Sequence, residues 1–210
     1  MYNHPVPKQK YYVVWKGRRT GVFSSWAECE AQTTGFAGAQ YKAFDSRTEA
    51  ERALAGGYAT YRGLPSSSQK WLFAAAQPIL PSIAVDAACS GSPGPVEYRG
   101  VQTETGKLIF KAGPFTDGTN NVGEFLAIVE AMKWLDDHDL DWPIYSDSEN
   151  AIGWVKIRKC KTQLVHLPSN RKLFESISRA EGSLRSLRGR KVLKWDTRAW
   201  GEIPADFGRK

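Results

Sequence analysis

The chain has 210 residues, 41% of them hydrophobic and 24% charged. That is enough for one large domain, or an ordinary domain with a small companion, and too apolar for wholesale disorder. Lys and Arg number 29 against 22 Asp and Glu, a formal net charge of +7 that invites a polyanionic partner. Three cysteines without a C-x-x-C pair and three histidines without H-E-x-x-H argue against a disulfide framework, a zinc knuckle and a histidine-held metal. No apolar run approaches the roughly 20 residues that span a bilayer. The stretch from Met1 to Arg19 has no apolar core behind a basic leader, so no secretory signal is expected and the cytoplasm is the expected location.

In chain order, Tyr11–Trp15 reads as a strand, Lys16–Gly21 as a basic turn and Gly21–Phe23 as a second strand. Ser25 with Glu28 fits a capping box opening a helix that fails at Gly35. Tyr41–Phe44 is a third strand, and Ser46 with Glu49 opens a second helix ending at Gly56-Gly57. Residues 8–56 are therefore expected to form a small β-β-α-β-α domain. Residues 57–80, rich in Gly, Ser and Pro, read as a linker in which Trp71–Ala76 could add a short helix or pack on a neighbour.

From residue 81 to 210 the pattern is α/β. Ser82–Ala88 is a buried-type strand, and two further strands form a hairpin closed near Gly106. A strong amphipathic helix starts at Asn121, burying Val122, Phe125, Leu126, Ile128, Val129, Met132 and Leu135. Trp142–Asp147 is another buried strand, followed by a helix, a basic helix over about 167–187, the strand Lys191–Asp196, and a short helix opened by Pro204. Charge is segregated here: 13 Lys/Arg lie between Trp154 and Arg198 against Glu175, Glu181 and Asp196. Such a pattern suits a protein that grips a phosphate backbone with one region and gathers carboxylates in another, although a solvated basic face would look the same.

Four acids stand where this architecture would bring chemistry together. Asp86 ends the first strand of the second domain, Glu124 lies in the first turn of its main helix, Asp147 follows a strand, and Asp206 falls in the expected last helix. Each alone has a structural explanation: an Asx-turn for Asp86, a capping box for Glu124, an N-cap for Asp147, a helix-dipole contact for Asp206. Together they would repel one another by several kcal/mol unless a cation neutralised them. Carboxylate oxygens without Cys or His select Mg²⁺ or Mn²⁺, and two such ions about 4 Å apart are a known device for phosphodiester hydrolysis.

The runs V-D-A-A-C-S-G-S-P-G-P, G-T-N-N-x-x-E-F-L-A-I, Y-S-D-S and P-A-D-F-G-R-K, in that order, resemble type 1 ribonuclease H. The resemblance implies a five-stranded mixed sheet flanked by helices, and cleavage of the RNA strand of an RNA–DNA hybrid leaving 3′-hydroxyl and 5′-phosphate ends. It implies that Asp86, Glu124, Asp147 and Asp206 hold two Mg²⁺ ions, with Mn²⁺ as a substitute, and that Glu202 is an accessory catalytic glutamate. Cys89, Ser90, Gly91, Asn120 and Asn121 match the region that meets RNA 2′-hydroxyls. Trp154 matches an aromatic against the DNA sugar-phosphate track, and Thr162 and Thr197 a DNA phosphate pocket. No histidine lies between Asp196 and Asp206, where many relatives carry one, and the basic protrusion of some relatives is not obvious.

Residues 10–44, with Y-Y-V-V-W-K-G-R-R-T-G-V-F-x-x-W-x-E-C and Y-K-A-F, are similar to the N-terminal hybrid-binding domain of such enzymes, a fold also seen in caulimovirus viroplasmin. By that likeness Trp26 and Tyr41 pack on DNA sugars, Lys42 meets phosphates and the 16–22 loop lies near the RNA. The competing reading makes Trp26 and Tyr41 core. The expected partner is an RNA–DNA hybrid read with little sequence preference, without a membrane or obligate protein partner, by a monomer. The alternative is a non-catalytic protein that binds hybrids or double-stranded RNA and retains the fold.

Overall fold

The computed structural model describes residues 9–62, 71, 74 and 76–208. Much of the linker, including residues 72, 73 and 75 of the expected Trp71–Ala76 stretch, and Arg209-Lys210 of the last motif lie outside the described residues, while Trp71 is buried. The chain divides into two compact units, 1–75 and 76–210.

In the first unit, β1 (Tyr11–Lys16) is the centre of an antiparallel sheet ordered β2-β1-β3, with β2 at Gly21–Phe23 and β3 at Gln40–Phe44. Alternation sends Val13 to one face, where it packs with Phe44, with Ala50 and Ala53 of α2 (Arg47–Gly56), and with Tyr61. Tyr12 on the other face meets Trp26 at the start of α1 (Trp26–Thr33). Both halves of the expected capping box form at Ser25 and Glu28, and at Ser46 the hydroxyl accepts the Glu49 N–H. The packed unit continues past Gly56: α3 (Tyr58–Tyr61) brings Tyr61, 3% exposed, against Trp15 and Phe44. A Gly-Gly pair that ends α2 thus also redirects the chain back onto its own core.

The second unit is a five-stranded sheet ordered β6-β5-β4-β7-β8. It contains β4 (Ile83–Cys89), β5 (Gly94–Gln102), β6 (Leu108–Gly118), β7 (Ile144–Ser146) and β8 (Val192–Lys194). The first three strands are antiparallel, closed by Gly106 N–H donating to the Gln102 carbonyl, and β4, β7 and β8 are parallel. One face carries α4 (Asn120–Asp137), whose seven expected apolar positions are all buried. On the other face Tyr145, Trp195 and Trp200 pack edge to face. The helices α5 (Glu149–Lys156) and α6 (Arg171–Ser183) follow, α6 shorter than expected because residues 168–170 form a 3₁₀ turn.

Gly123 lets α4 approach β4 closely: a Cβ there would lie 2.7 Å from both Ala87 Cβ and Val96 Cγ2. We expect Gly123→Ala to destabilise the protein by about 1–3 kcal/mol, read by denaturant unfolding, as overpacking forces helix and sheet apart. Two expectations are corrected. Asp86 is the fourth of seven residues in β4, opposite Arg99 of β5, and does not end the strand. No helix opens at Pro204. The helix forms earlier, as α7 (Thr197–Trp200), because Asp196 accepts from the Arg198 and Ala199 N–H groups as its N-cap. Around Asp206 the side chain accepts the Gly208 N–H at 3.0 Å, and Gly208 adopts φ +67°, a local turn that competes with helical bonding.

Candidate active site

The parallel strands β4 and β7 pair only at Ile83↔Ile144 and Ala84↔Tyr145. Beyond Ala84 they separate, opening the sheet at the carboxyl end of its parallel strands, where α/β sheets place their ligands. Asp86 enters this gap from β4, Glu124 from the first turns of α4 and Asp147 from the residue after β7. These three offer carboxylate oxygens that all lie within 4.8 Å of one another. They line a cavity of about 530 Å³ shared with Cys89, Ser90, Asn120, Glu202, Asp206 and Phe207.

The individual structural explanations fall away here. Asp86 lies mid-strand, away from any turn. Asp147 does not cap α5, since Ser148 does so by accepting the Ala151 N–H. Glu124 caps nothing: it accepts from Asn120 Nδ2 and from Ser146 Oγ, each at 3.1 Å. Ser146 is fully buried, and its hydroxyl also accepts the Ser148 N–H. This serine positions Glu124, and sequence reading missed it. A buried hydroxyl as the last residue of an apolar strand was the available signal.

Burial and mutual repulsion hold protons on this cluster. Burial, then the Asp147 charge, pushes Asp86 up to about 7, against the pull of the Ala87 and Phe207 N–H groups. Burial, then Asp147 and Asp86, pushes Glu124 up to about 8. Asp147 is also raised by burial, less strongly because Lys194 lies close and donates to its main-chain carbonyl. Such a group of oxygens fits hard divalent cations, whose charge would take the place of these protons.

The model for the ribonuclease H family matches residues 81–183, and that for the ribonuclease H1 N-terminal domain matches residues 10–54. Residues 81–183 thus carry a ribonuclease H domain, and residues 10–54 a ribonuclease H1 N-terminal domain. Among curated relatives, ribonuclease H1 of Mus musculus is 52% identical over 40 residues, 19% of this chain and 14% of that protein. Ribonuclease H of Syntrophomonas wolfei is 37% identical over 79 residues, 35% of this chain and 54% of that protein. The chain thus covers less than two thirds of these relatives' lengths. Among solved structures, ribonuclease H1 of Halobacterium salinarum aligns at 19% identity and TM-score 0.37, over 54% of this chain and 83% of that one. A ribonuclease H1 isolated from compost aligns at 22% identity and TM-score 0.37, over 57% and 91%.

In the ribonuclease H unit six of the remaining candidates divide between two hollows. Cys89, Ser90 and Asn120 line the carboxylate cavity. Asn121, Trp154 and Thr162 line a second one of about 500 Å³, together with Ser92, Thr119, Asn150 and Lys161. Thr119, Asn150 and Lys161 were not singled out from the sequence. Gly91 lies in the turn after β4 at φ +132°, its carbonyl accepting from Cys89 Sγ at 2.9 Å. Thr197 stands exposed at the start of α7 and is not among the residues lining the hollow that holds Thr162.

In the N-terminal unit Trp26 and Tyr41 are each 44% exposed, with ring centroids 5.7 Å apart, so they form a surface aromatic pair and not core. Lys42 stands apart from this pair. It lies opposite Val13, on the face of β3 away from Tyr41, and its ammonium donates to the Tyr61 carbonyl at 2.9 Å. Burial lowers it to about 8. Consecutive strand residues point to opposite faces, so Tyr41 and Lys42 are not presented side by side.

Proposed function

We propose that this chain is an endonuclease that hydrolyses the RNA strand of RNA–DNA hybrids with two divalent cations, leaving 3′-hydroxyl and 5′-phosphate ends. The observation that carries this reading is the convergence of Asp86, Glu124 and Asp147, from three separate elements, to oxygens within 4.8 Å. Asp86, Glu124, Asp147 and Asp206 would hold the ions, with Mg²⁺ favoured and Mn²⁺ a substitute. When bound, the two cations supply activation of the attacking water and stabilisation of the leaving oxygen.

The protein's own residues orient the substrate. Asn120, Cys89, Ser90 and the turn at Gly91 stand beside the carboxylates, suited to an RNA strand identified by its 2′-hydroxyls. Asn121, Trp154, Thr162, Thr119 and Lys161 form an adjoining hollow of polar, cationic and aromatic character suited to the deoxyribose-phosphate track. Recognition through 2′-hydroxyls and the sugar-phosphate backbone does not read base edges, so little sequence preference is expected. Glu202 lines the cavity wall and would serve as the accessory acid. His138 stacks on Trp134 and His166 packs on Phe174, and neither lines the carboxylate cavity, so no described histidine serves there.

The aromatic pair of the N-terminal unit would hold the same hybrid and raise its local concentration through the tether. Trp26→Ala is expected to weaken hybrid binding about tenfold in a fluorescence titration, the loss of one stacked contact. It should cost stability only about 1 kcal/mol, the worth of its ring contacts. The proposed activity is tested with four matched duplexes, RNA–RNA, DNA–DNA, RNA–DNA and DNA carrying one ribonucleotide. Cleavage with Mg²⁺ confined to RNA-containing hybrids supports it, and a hybrid that is bound but left intact favours the non-catalytic alternative.

A further inference from the structure

Asp206 sits on a segment without helix or strand. Residues 201–208 follow α7 as turns, stapled by Trp195 Nε1 donating to the Gly201 carbonyl and by burial of Ile203 and Ala205. Near Asp206 itself two side chains of the sheet reach the segment: Lys111 of β6, whose ammonium lies 5.7 Å from the centre of the Phe207 ring, and, more closely, Arg99. Arg99 of β5 donates through Nε to the Ala205 carbonyl at 2.7 Å and through a terminal nitrogen to the Asp206 carbonyl, while its guanidinium carbon lies 4.5 Å from the centre of the Phe207 ring. Arg99 is also the cross-strand partner of Asp86, so their side chains share a face, and Phe207 N–H donates to the Asp86 carboxylate.

From this arrangement we infer that Arg99 is a positioning residue that locks the Asp206 segment over the cavity, a role that rests on the hydrolytic reading above. The guanidinium bonds main-chain oxygens. It therefore fixes where Asp206 stands without occupying the carboxylate oxygens that a cation would need. Two charge-assisted bonds in a rigid fork and a cation over an aromatic ring hold three consecutive residues, 205 to 207, against β5. Phe207 of the same segment also donates its N–H to the Asp86 carboxylate, so loosening Arg99 disturbs two candidate ligands through one backbone segment.

The test uses the full chain with Arg99→Met, which keeps the aliphatic stem, and Arg99→Lys, which keeps the charge and loses the fork. Arg99→Met is expected to lower kcat on a hybrid about 10–100-fold, the cost of misplacing a catalytic group by about 1 Å, with KM within twofold. Amide exchange at residues 203–208 should quicken at least about tenfold while the strands keep their protection. Mn²⁺ affinity, measured without substrate, should weaken, and Arg99→Lys should fall between wild type and Arg99→Met. If Arg99 acts through Asp206, the double variant with Asp206→Asn is no slower than Asp206→Asn alone. Unchanged exchange and Mn²⁺ affinity, a rise in KM with kcat intact, or losses that multiply in the double variant would each overturn the inference. Exchange and Mn²⁺ binding need no turnover, so they decide the role of Arg99 even if the wild-type chain leaves hybrids uncut.

Discussion

Asp86→Asn is expected to reduce Mg²⁺-dependent hydrolysis of an RNA–DNA hybrid by at least about 1000-fold, since several kcal/mol of transition-state stabilisation rest on the cations it helps to hold. The substitution is nearly isosteric in a site only 7% exposed, and it removes a charge that burial and Asp147 already disfavour. The fold should therefore survive, and the apparent affinity for the hybrid should stay within about threefold, because phosphate contacts made elsewhere supply most of it. Single-turnover cleavage paired with a filter-binding titration separates the two quantities. A variant that still cuts at more than about a tenth of the wild-type rate would remove Asp86 from the chemistry.

The second large effect is a pH dependence that cations reverse. Asp86 and Glu124 are raised from ordinary values of 3.8 and 4.5 to about 7 and about 8. The folded metal-free protein therefore keeps protons that the unfolded chain has released once the pH passes about 5. Stability from these groups is full below about pH 4 and is lost as pH rises through about 7 and 8. Unfolding free energy in EDTA should fall by a few kcal/mol between about pH 5 and 8. Lys42, lowered to about 8, acts in the opposite sense only above that window. Millimolar Mg²⁺ at pH 8 should restore the loss by binding the folded form alone, and Asp86→Asn should flatten the metal-free profile. Urea unfolding at both pH values, with and without Mg²⁺, reads all three effects. Stability that is flat or rises with pH in EDTA would contradict the assigned cluster.

Much of the fold was legible because its elements have local signatures. The strand alternation of Tyr11–Trp15, the capping box at Ser25 and the apolar stripe of α4 are written in single short windows of sequence. The C-terminal end was not. Pro204 looks like a helix start, yet Asp196 eight residues earlier had the stronger capping geometry, and the Asp206–Gly208 turn diverts the chain. Asp86, Glu124 and Asp147 could be picked out because each lies in a motif shared with type 1 ribonuclease H, even though Asp86 stands mid-strand and Asp206 on no helix. Arg99 and Ser146 could not, because each acts through partners distant in sequence: Ala205 and Asp206 for Arg99, Glu124 for Ser146. The facing of Lys42 was equally out of reach of a motif match. A likeness in linear sequence assigned it to phosphates, whereas the two-residue period of β3 sets it on the opposite face from Tyr41.

The central claim is that Asp86, Glu124 and Asp147 jointly hold divalent cations. It is tested most directly by anomalous diffraction from crystals of the full chain grown with Mn²⁺ and a short hybrid. The account predicts Mn²⁺ peaks bonded to oxygens of all three carboxylates, with Asp206 on the rim of the same site and a backbone phosphate of the RNA strand adjoining. Density showing those carboxylates bonded only to one another or to water, with Mn²⁺ bound elsewhere, would contradict it.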